Sequence, residues 1–234
     1  MERNPEKSAS LRRSDLVYKA TYYSPEPGIE SLGKFKVIYA DPPWSTSQKG
    51  KLGAINHYNL MSLAEIKAMP IADLAADNSA CFLWVPNGLI GEGLEVLKAW
   101  GFTFRSTFFW LKPGMQLGQY FRNASETLLL GTKGKAPVGF HAQPNWMFAS
   151  REEHSKKPDE MRFIIQRLYP HCEYLELFAR DRVPLDHWYY WGNECEGGSD
   201  VFLPGYPVPE YSDKVKFASP ELKKKAEREG RTDG

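Results

Sequence analysis

Two consecutive prolines follow a run of six residues that is rich in apolar and β-branched side chains. The run, residues 35–40, predicts a short buried strand. Pro42 and Pro43 cannot donate the main-chain hydrogen bonds that a strand interior needs. The strand therefore has to end directly before Asp41, and this break fixes where the chain can leave a sheet.

Strand-like and helix-like segments alternate along the chain after this break. Further strands are predicted from apolar runs bounded by turn residues, at 80–85, 104–111, 126–130 and 173–179. Helices are predicted from capping residues and apolar periodicity, at 62–70, 89–100 and 158–168. Residues 45–61 and 132–150 are expected to be loops. This alternation predicts an α/β fold with a mostly parallel sheet flanked by helices.

The length of 234 residues suits one domain with a substantial core. We expect a lead-in at 1–30, the domain at 31–200 and a tail at 201–234. The net charge of +1 excludes a generally basic nucleic-acid binder, so any grip on phosphates has to come from a local patch. Three scattered cysteines, and the lack of an apolar run near Met1, predict an intracellular protein (cytoplasm or nucleoid) without structural zinc.

The notable polar residues fall where predicted strands end. Asp41 follows the first strand, Asn87 follows the second, and Glu176 and Arg180 lie around the last. Ligands of open α/β sheets bind beyond the carboxyl ends of the strands. The sequence therefore predicts a single active site at this edge.

Asp41-Pro42-Pro43-Trp44 has the chemistry needed to methylate an aromatic amine. The lone pair of such an amine is delocalised into the ring, so the nitrogen is a poor nucleophile. The Asp41 carboxylate and the Pro42 carbonyl could each accept one N–H and hold the nitrogen pyramidal. Trp44 could line the pocket or stack on an extruded base. The alternative interpretation of the same residues is a simple turn.

Other short motifs accompany this tetrapeptide in a fixed order between residues 32 and 195. They are Leu32-Gly33-Lys34-Phe35, His57-Tyr58-Asn59-Leu60-Met61-Ser62, Phe82-Leu83-Trp84-Val85, Gly131-Thr132-Lys133-Gly134, Ser155-x-Lys157-Pro158-Asp159-Glu160, Glu176-Leu177-Phe178-Ala179-Arg180 and Gly192-Asn193-Glu194. The set resembles the Asp-Pro-Pro-Trp family of adenine-N6 methyltransferases. That family includes the catalytic subunit of the eukaryotic mRNA adenosine methyltransferase and bacterial and phage members.

The resemblance implies a Rossmann-like class I fold with a permuted (beta-type) motif order, S-adenosylmethionine as cofactor and no metal. It implies a catalytic motif made of Asp41, Pro42, Pro43 and Trp44, and a target-adenine pocket lined by Tyr58 and Trp44. The cofactor-binding positions that it implies are Asp41, Lys157, Glu176, Phe178, Arg180, Asn193 and Glu194. Within this set, Lys157 matches a position near the methionine carboxylate of the cofactor and Glu176 one on its ribose. Relatives often carry Asn where this chain has Val183.

Nucleic-acid contacts are predicted in two loops expected to face the substrate. The candidates share a positive charge and are Lys133, Lys135, Arg151 and Lys156. A solvated surface is the alternative for these charges. Glu126 is expected either in a buried ion pair or in the pocket.

The preferred function is N6 methylation of adenine in DNA, because the turn after Phe178 and the segment 188–194 look like those of bacterial and phage members. An RNA adenosine methyltransferase is the alternative of the same class. A catalytically silent, nucleic-acid-binding partner subunit is the alternative of another class. A homo- or heterodimer partner for target recognition is left open by the sequence.

Overall fold

The computed structural model describes residues 34–45, 60–116, 120–150, 156–203, 205–206, 208–209 and 211–216. Its strands are β1 Phe35–Ala40, β2 Ala75–Val85, β3 Thr103–Gln116, β4 Asn123–Lys133, β5 Trp146–Phe148, β6 Tyr174–Leu177, β7 Trp188–Trp191, β8 Ser199–Val201 and β9 Tyr211–Lys216. Its helices are α1 Leu63–Ala68, α2 Ile71–Leu74, α3 Ile90–Ala99 and α4 Glu160–Leu168. A single 3-10 turn, Asn87–Leu89, leads into α3.

Seven of the described strands form one sheet in the order β5-β3-β4-β2-β1-β6-β7, and β8 pairs with β9. Strand β1 lies between β2 and β6 and is parallel to both, with Ala40 opposite Leu83 and Leu177. Strand β4 is antiparallel to β2 and β3. The parallel register brings the residues that follow β1, β2 and β6 to one edge, as predicted, and the fold is a Rossmann-like α/β domain.

The sheet is buried on both faces because side chains of β1 alternate between two apolar clusters. Ile38 packs in the cluster that contains α1, α2 and α3, together with Leu97. Val37 and Tyr39 pack in the other cluster, which contains Ile165 of α4. Such a strand reads as a continuous apolar run, which is why β1 was recognisable from composition alone.

The local signals at the helix ends are confirmed. Ser62 and Glu65 form the capping box that opens α1. Gly101 adopts φ +84° directly after α3 and its C-cap, as a C-terminal glycine should.

Several strands differ from the sequence prediction, among them β8 at the start of the expected tail and β9 within it. Strand β5 lies inside the segment 132–150 that we expected to be loop, and β7 was not predicted as a strand. Strands β3 and β4 are longer than expected because they pair with each other beyond the end of β2. Short or hairpin-paired strands lack the continuous apolar run of a central parallel strand, so their sequences carry a weaker signal.

The chain remains packed beyond the expected end of the domain at residue 200. Val201 and Leu203 are each 1% exposed and belong to the apolar cluster on the α1–α3 face. The division into lead-in, domain and tail stays a prediction. None of the helices in the described part of the chain is long and apolar enough to cross a membrane.

Candidate active site

The Asp41–Trp44 segment is held by main-chain hydrogen bonds on both sides. The N–H of Asp41 donates to the Leu177 carbonyl at 3.5 Å, and that of Met61 donates to the Pro43 carbonyl at 2.9 Å. The N–H of Trp44 donates to the Pro42 carbonyl at 2.9 Å, which closes a three-residue turn. A carbonyl oxygen has two lone pairs, so the Pro42 oxygen can still accept one further hydrogen bond.

Trp44 supports this segment from inside the protein. Its side chain is 8% exposed, and its indole N–H donates to the Trp84 carbonyl at 3.0 Å. A bond between the indole and the end of β2 fixes the direction in which the tetrapeptide leaves β1. The structure therefore gives Trp44 a bracing contact, and the stacking of Trp44 on an extruded base stays a prediction.

Four charged side chains of alternating sign form a row at the carboxyl edge of the sheet. Lys157 Nζ lies 2.7 Å from Asp41 Oδ2 and 3.2 Å from Glu126 Oε2. Lys112 Nζ donates to the other oxygen of Glu126. The row thus runs Asp41, Lys157, Glu126, Lys112, and it joins the ends of β1, β3 and β4 to the segment before α4.

Partial burial of this row strengthens its internal attractions. Burial works against the charged form of Lys157, but Asp41 and Glu126 outweigh it and raise the pKa of Lys157 above its usual value. For Glu126, burial is likewise outweighed by Lys157 and Lys112, so its pKa is lowered. Lys157 and Glu126 therefore both stay charged at neutral pH. Of the two alternatives expected for Glu126, the structure shows the ion pair.

A second buried ion pair lies one strand away. Arg162 of α4 donates from Nε and Nη2 to the two carboxylate oxygens of Glu176, each at 2.7 Å. Arg162 Nη1 also donates to Asp159 Oδ1 at 2.6 Å. Burial raises the pKa of Glu176 to about 7, against the opposing effect of the Arg162 guanidinium. Arg162 occupies two of about four acceptor positions of this carboxylate, so two remain for hydroxyl donors.

The predicted cofactor residues after β6 and β7 lie side by side. Leu177 is opposite Trp191 in the parallel pair of these strands, and the Ala179 N–H donates to the Trp191 carbonyl at 2.9 Å. Phe178 takes the left-handed conformation with φ +63°, a strained state for a residue other than glycine. A Cβ on Gly192 would overlap the Ala179 carbonyl oxygen, so only glycine allows this close approach.

The turn that carries Asn193 and Glu194 is exposed, and hydrogen bonds from Arg182 hold it in place. Both side chains lie at the surface directly after β7. Arg182 binds Asp200 through two hydrogen bonds of 2.9 Å and also donates to the Glu196 carbonyl at 2.7 Å. The segment that carries Phe178 and Arg180 is thereby tied to the turn after β7, so the two sets of predicted cofactor residues keep a fixed spacing.

Two of the predicted nucleic-acid contacts, Lys133 and Lys135, lie away from this edge of the sheet. Lys133 pairs with Ser79 near the start of β2, seven residues from Glu126 along β4, which is roughly 23 Å of strand. Its Nζ donates to the carbonyls of Ala72 and Ala75, and the main-chain N–H of Lys135 donates to Asn78. The antiparallel pairing of β4 with β2 carries these lysines to the opposite end of the sheet from Asp41, which does not support a contact with substrate there, and their role on nucleic acid stays a prediction.

Lys156, another predicted contact, is engaged by two carboxylates. Its Nζ lies 3.3 Å from Asp159 and 2.8 Å from Asp181. Its charge is therefore largely compensated within the protein, which does not support a primary role on phosphate. Arg151 and Tyr58 lie outside the described residues, and their roles stay predictions.

Two functional neighbours were missed in the sequence. Lys112 is 7% exposed and completes the charged row, and Arg162 is 3% exposed and holds Glu176. Arg162 lies among Met161, Ile164 and Ile165 on the buried face of α4. A charged residue on an apolar helix face is a recognisable signal for a buried partner. Among the described residues, no group of three or more His, Cys, Asp and Glu side chains could hold a metal ion.

Comparison with known proteins agrees with this geometry. The MT-A70 family model matches residues 35–194. The chain is 29% identical over 177 residues to the N(6)-adenosine-methyltransferase MT-A70-like of Arabidopsis thaliana, which covers 72% of this chain and 25% of the relative. It is 29% identical over 179 residues to the N(6)-adenosine-methyltransferase catalytic subunit METTL3 of Homo sapiens, covering 72% and 30%. The Type II methyltransferase M.MunI of Mycoplasma sp is 28% identical over 178 residues, covering 66% of this chain and 76% of the relative.

The chain thus spans less than a third of the length of these two eukaryotic relatives and about three quarters of the bacterial one. The matched region begins at Phe35, the first residue of β1, and ends at Glu194, just beyond β7. It therefore includes both predicted clusters of site residues, around Asp41 and around Glu176. On the family model, which covers most of the described fold, this chain belongs to the MT-A70 family.

Proposed function

We propose that this protein transfers the methyl group of S-adenosylmethionine to the N6 amino group of adenine in nucleic acid. The observation that carries the proposal is the ion pair between Asp41 and Lys157 at the carboxyl edge of the sheet. It holds a charged acceptor next to the Pro42 carbonyl, in the position where the substrates of open α/β sheets bind.

The residues at this edge suit the chemical groups of the cofactor. The remaining acceptor positions of Glu176 suit two ribose hydroxyls. Lys157 already contacts Asp41 and Glu126, so its placement near the methionine carboxylate stays a prediction of the family resemblance. Phe178 and Arg180 follow Glu176, while Asn193 and Glu194 follow β7 beside them. When bound there, the cofactor would supply an activated methyl group on a positively charged sulfur.

The residues of this chain would then orient the amine. Asp41 Oδ1 and the Pro42 carbonyl oxygen each accept one N–H of the adenine amino group, which turns the nitrogen lone pair toward the methyl carbon. Methyl transfer would form a nitrogen–carbon bond in place of the sulfur–carbon bond of the bound cofactor, and one N–H proton would leave the amine. Lys157 keeps Asp41 Oδ2 engaged, so that Oδ1 faces the substrate. Because the new cationic nitrogen is strongly acidic, its proton can pass to Asp41 or water without a strong base.

DNA is the favoured polymer. The match to the Type II methyltransferase covers 76% of that relative, whereas the matches to the adenosine methyltransferases of Arabidopsis thaliana and Homo sapiens cover 25% and 30%. RNA remains the second candidate, because the identity to all three relatives is nearly equal. The alternative of a silent partner subunit is disfavoured by the complete charged row around Asp41. A dimer partner for target recognition stays a proposal.

Methyl transfer can be measured directly with tritium-labelled S-adenosylmethionine and matched DNA and RNA oligonucleotides, single-stranded and double-stranded. We expect label on adenine-containing DNA, and loss of the label when N6-methyladenine replaces every adenine. Label on RNA alone would overturn the choice of polymer. The absence of label on every adenine-containing substrate would overturn the proposed function.

A further inference from the structure

Strands β3 and β4 project as a hairpin past the catalytic edge of the sheet. The last residue of β2 in the ladder is Val85, opposite Thr127 of β4, whereas β4 begins four residues earlier and continues to pair with β3. Those four residues extend the hairpin by about 13 Å beyond the end of β2. The projecting part therefore extends past its pairing with β2, and Asn87 of the following turn contacts its base by donating to the Ser125 carbonyl at 3.1 Å.

The base of this hairpin is part of the candidate site. Lys112 of β3 and Glu126 of β4 contact each other there, and Glu126 contacts Lys157, the partner of Asp41. A ligand that reaches Asp41 therefore meets the base of the hairpin first. A long ligand bound at Asp41 can then follow the hairpin to the outer end of β3 and β4.

The outer end of the hairpin presents large side chains to solvent. Tyr120 is 89% exposed and Phe121 is 86% exposed, and Met115 of β3 is 79% exposed. These are the three most exposed large apolar side chains in the described part of the chain, followed by Phe148 at 64%. Arg122 follows them and is also exposed. Two neighbouring aromatic rings and a cation at one tip need an explanation, because exposed aromatic surface is unfavourable in water.

We propose that Tyr120 and Phe121 stack on unpaired bases up to about six nucleotides from the target adenine, and that Arg122 contacts the adjoining phosphate. This inference rests on the proposed function. Every base has a face that an aromatic ring can stack on, and a guanidinium complements phosphate. From Glu126 to Tyr120 is at most about 20 Å along the chain, or about six nucleotides at ~3.4 Å each.

A protein partner fits these features less well. A stable protein interface buries about 800 Å² on each partner around a broad apolar centre. The tip offers a narrow set of side chains, with a cation directly beside the rings. Both properties favour a stacked single strand over a second protein surface.

The test uses the double variant Tyr120→Ala/Phe121→Ala and the single-stranded DNA 20-mer that accepts label fastest in the transfer assay. Loss of two stacking contacts should raise the KM for this oligonucleotide roughly 30-fold, with kcat changed by less than about threefold. Phe104→Ala is the matched control, since Phe104 is 42% exposed on the same strand β3 but lies at the opposite end of the sheet. Its KM should stay within about twofold of the wild type, and Tyr120→Phe/Phe121→Tyr should restore the wild-type KM.

Substrates that lack the stacked bases identify stacking as the cause. Abasic sites about four to six nucleotides from the target adenine, on both sides, should raise the KM of the wild type by a similar factor and have little further effect on the double alanine variant. Arg122→Gln should lower the salt slope of oligonucleotide binding by about 0.7, the value for one phosphate contact on a single strand.

Three results would overturn the inference. The first is an unchanged KM for the double alanine variant with wild-type transfer intact, which would leave the proposed function standing. The second is an equal loss on intact and abasic substrates. The third is a change in oligomeric state by light scattering that accompanies the loss, which would make the tip a protein interface. Failure of the wild type to label any oligonucleotide would instead overturn the proposed function, and this inference with it.

Discussion

Charged residues at the two ends of the central sheet have different kinds of partner. At the carboxyl end, Asp41, Lys157, Glu126 and Lys112 are drawn into one row and neutralise each other across four chain segments. At the amino end, the ammonium of Lys133 is bound by main-chain carbonyls at the surface. Charged side chains that lie together in a partly buried crevice create a strong local electric field. An isolated cation at the surface stabilises only the chain segment that it contacts. The difference indicates which end carries chemistry.

The largest effect should follow from breaking the buried pair behind the carboxyl end. Arg162→Met removes the partner of Glu176 and leaves a buried carboxylate without its cation, so we expect a loss of about 3–5 kcal/mol in the free energy of unfolding. Arg167→Met is the control on the same helix, because Arg167 is exposed, and should change stability by less than about 0.5 kcal/mol. Denaturant unfolding of both variants measures this. Equal losses would show that Arg162 is not specially placed.

Removing the centre of the charged row should affect catalysis more than folding. Lys157→Met removes the cation between Asp41 and Glu126 and leaves Asp41 without its ion-pair partner, so we expect roughly a 100-fold lower rate of methyl transfer at saturating cofactor, equivalent to about 2.7 kcal/mol. Single-turnover transfer to the best oligonucleotide measures the rate. A variant that retains the wild-type rate would remove the row from the mechanism.

Cofactor affinity should depend on pH through Glu176. Its ordinary pKa of 4.5 is raised to about 7 by burial, so the free protein binds a proton there as the pH falls through 7. Ribose hydroxyls favour the ionised carboxylate, and affinity should therefore be full above pH 7 and fall by up to about tenfold per pH unit below it. Calorimetric titration of S-adenosylmethionine between pH 6 and 8 tests this. Glu176→Gln should bind weakly with no such dependence. A flat profile for the wild type would exclude Glu176 as the titrating acceptor.

The smallest effect should occur at the amino end of the sheet. Lys133→Met removes two long hydrogen bonds to main-chain carbonyls, of 3.3 and 3.4 Å, and should change stability by less than about 0.5 kcal/mol. Its KM for oligonucleotide should stay within about twofold of the wild type. A KM raised tenfold or more would restore Lys133 as a nucleic-acid contact and cancel the contrast between the two ends.

The sequence was sufficient for features that depend on short chain segments. The apolar run before Asp41 identified β1 at its observed bounds, and the parallel order of β1, β2 and β6 placed Asp41 and Glu176 on one edge. The capping box at Ser62 was equally local. For β1 and the capping box, the residues that determine the structure lie within a few positions of each other, whereas the parallel order follows from the alternation of strands and helices.

Features that depend on long-range pairing could not be predicted. Glu126 and Lys133 lie on one strand, and only the antiparallel pairing of β4 with β2 decides that one reaches the active edge and the other does not. Lys112 and Arg162 acquire their roles from partners 14 residues away across the fold. Motif matching predicted the acceptor and the cofactor residues, while the cations that bind Glu126 and Glu176 were found only in the structure.

The central claim is that Asp41 orients the adenine amine and is not merely part of a turn. The direct test is the single-turnover rate of methyl transfer by Asp41→Asn, measured at saturating cofactor together with cofactor affinity and melting temperature. We predict a rate lowered at least roughly 1,000-fold, because Lys157 would bind the amide oxygen and leave the NH2 group, which cannot accept, facing the amine. Fold and melting temperature should be nearly unchanged. Transfer within about tenfold of the wild type would contradict the account.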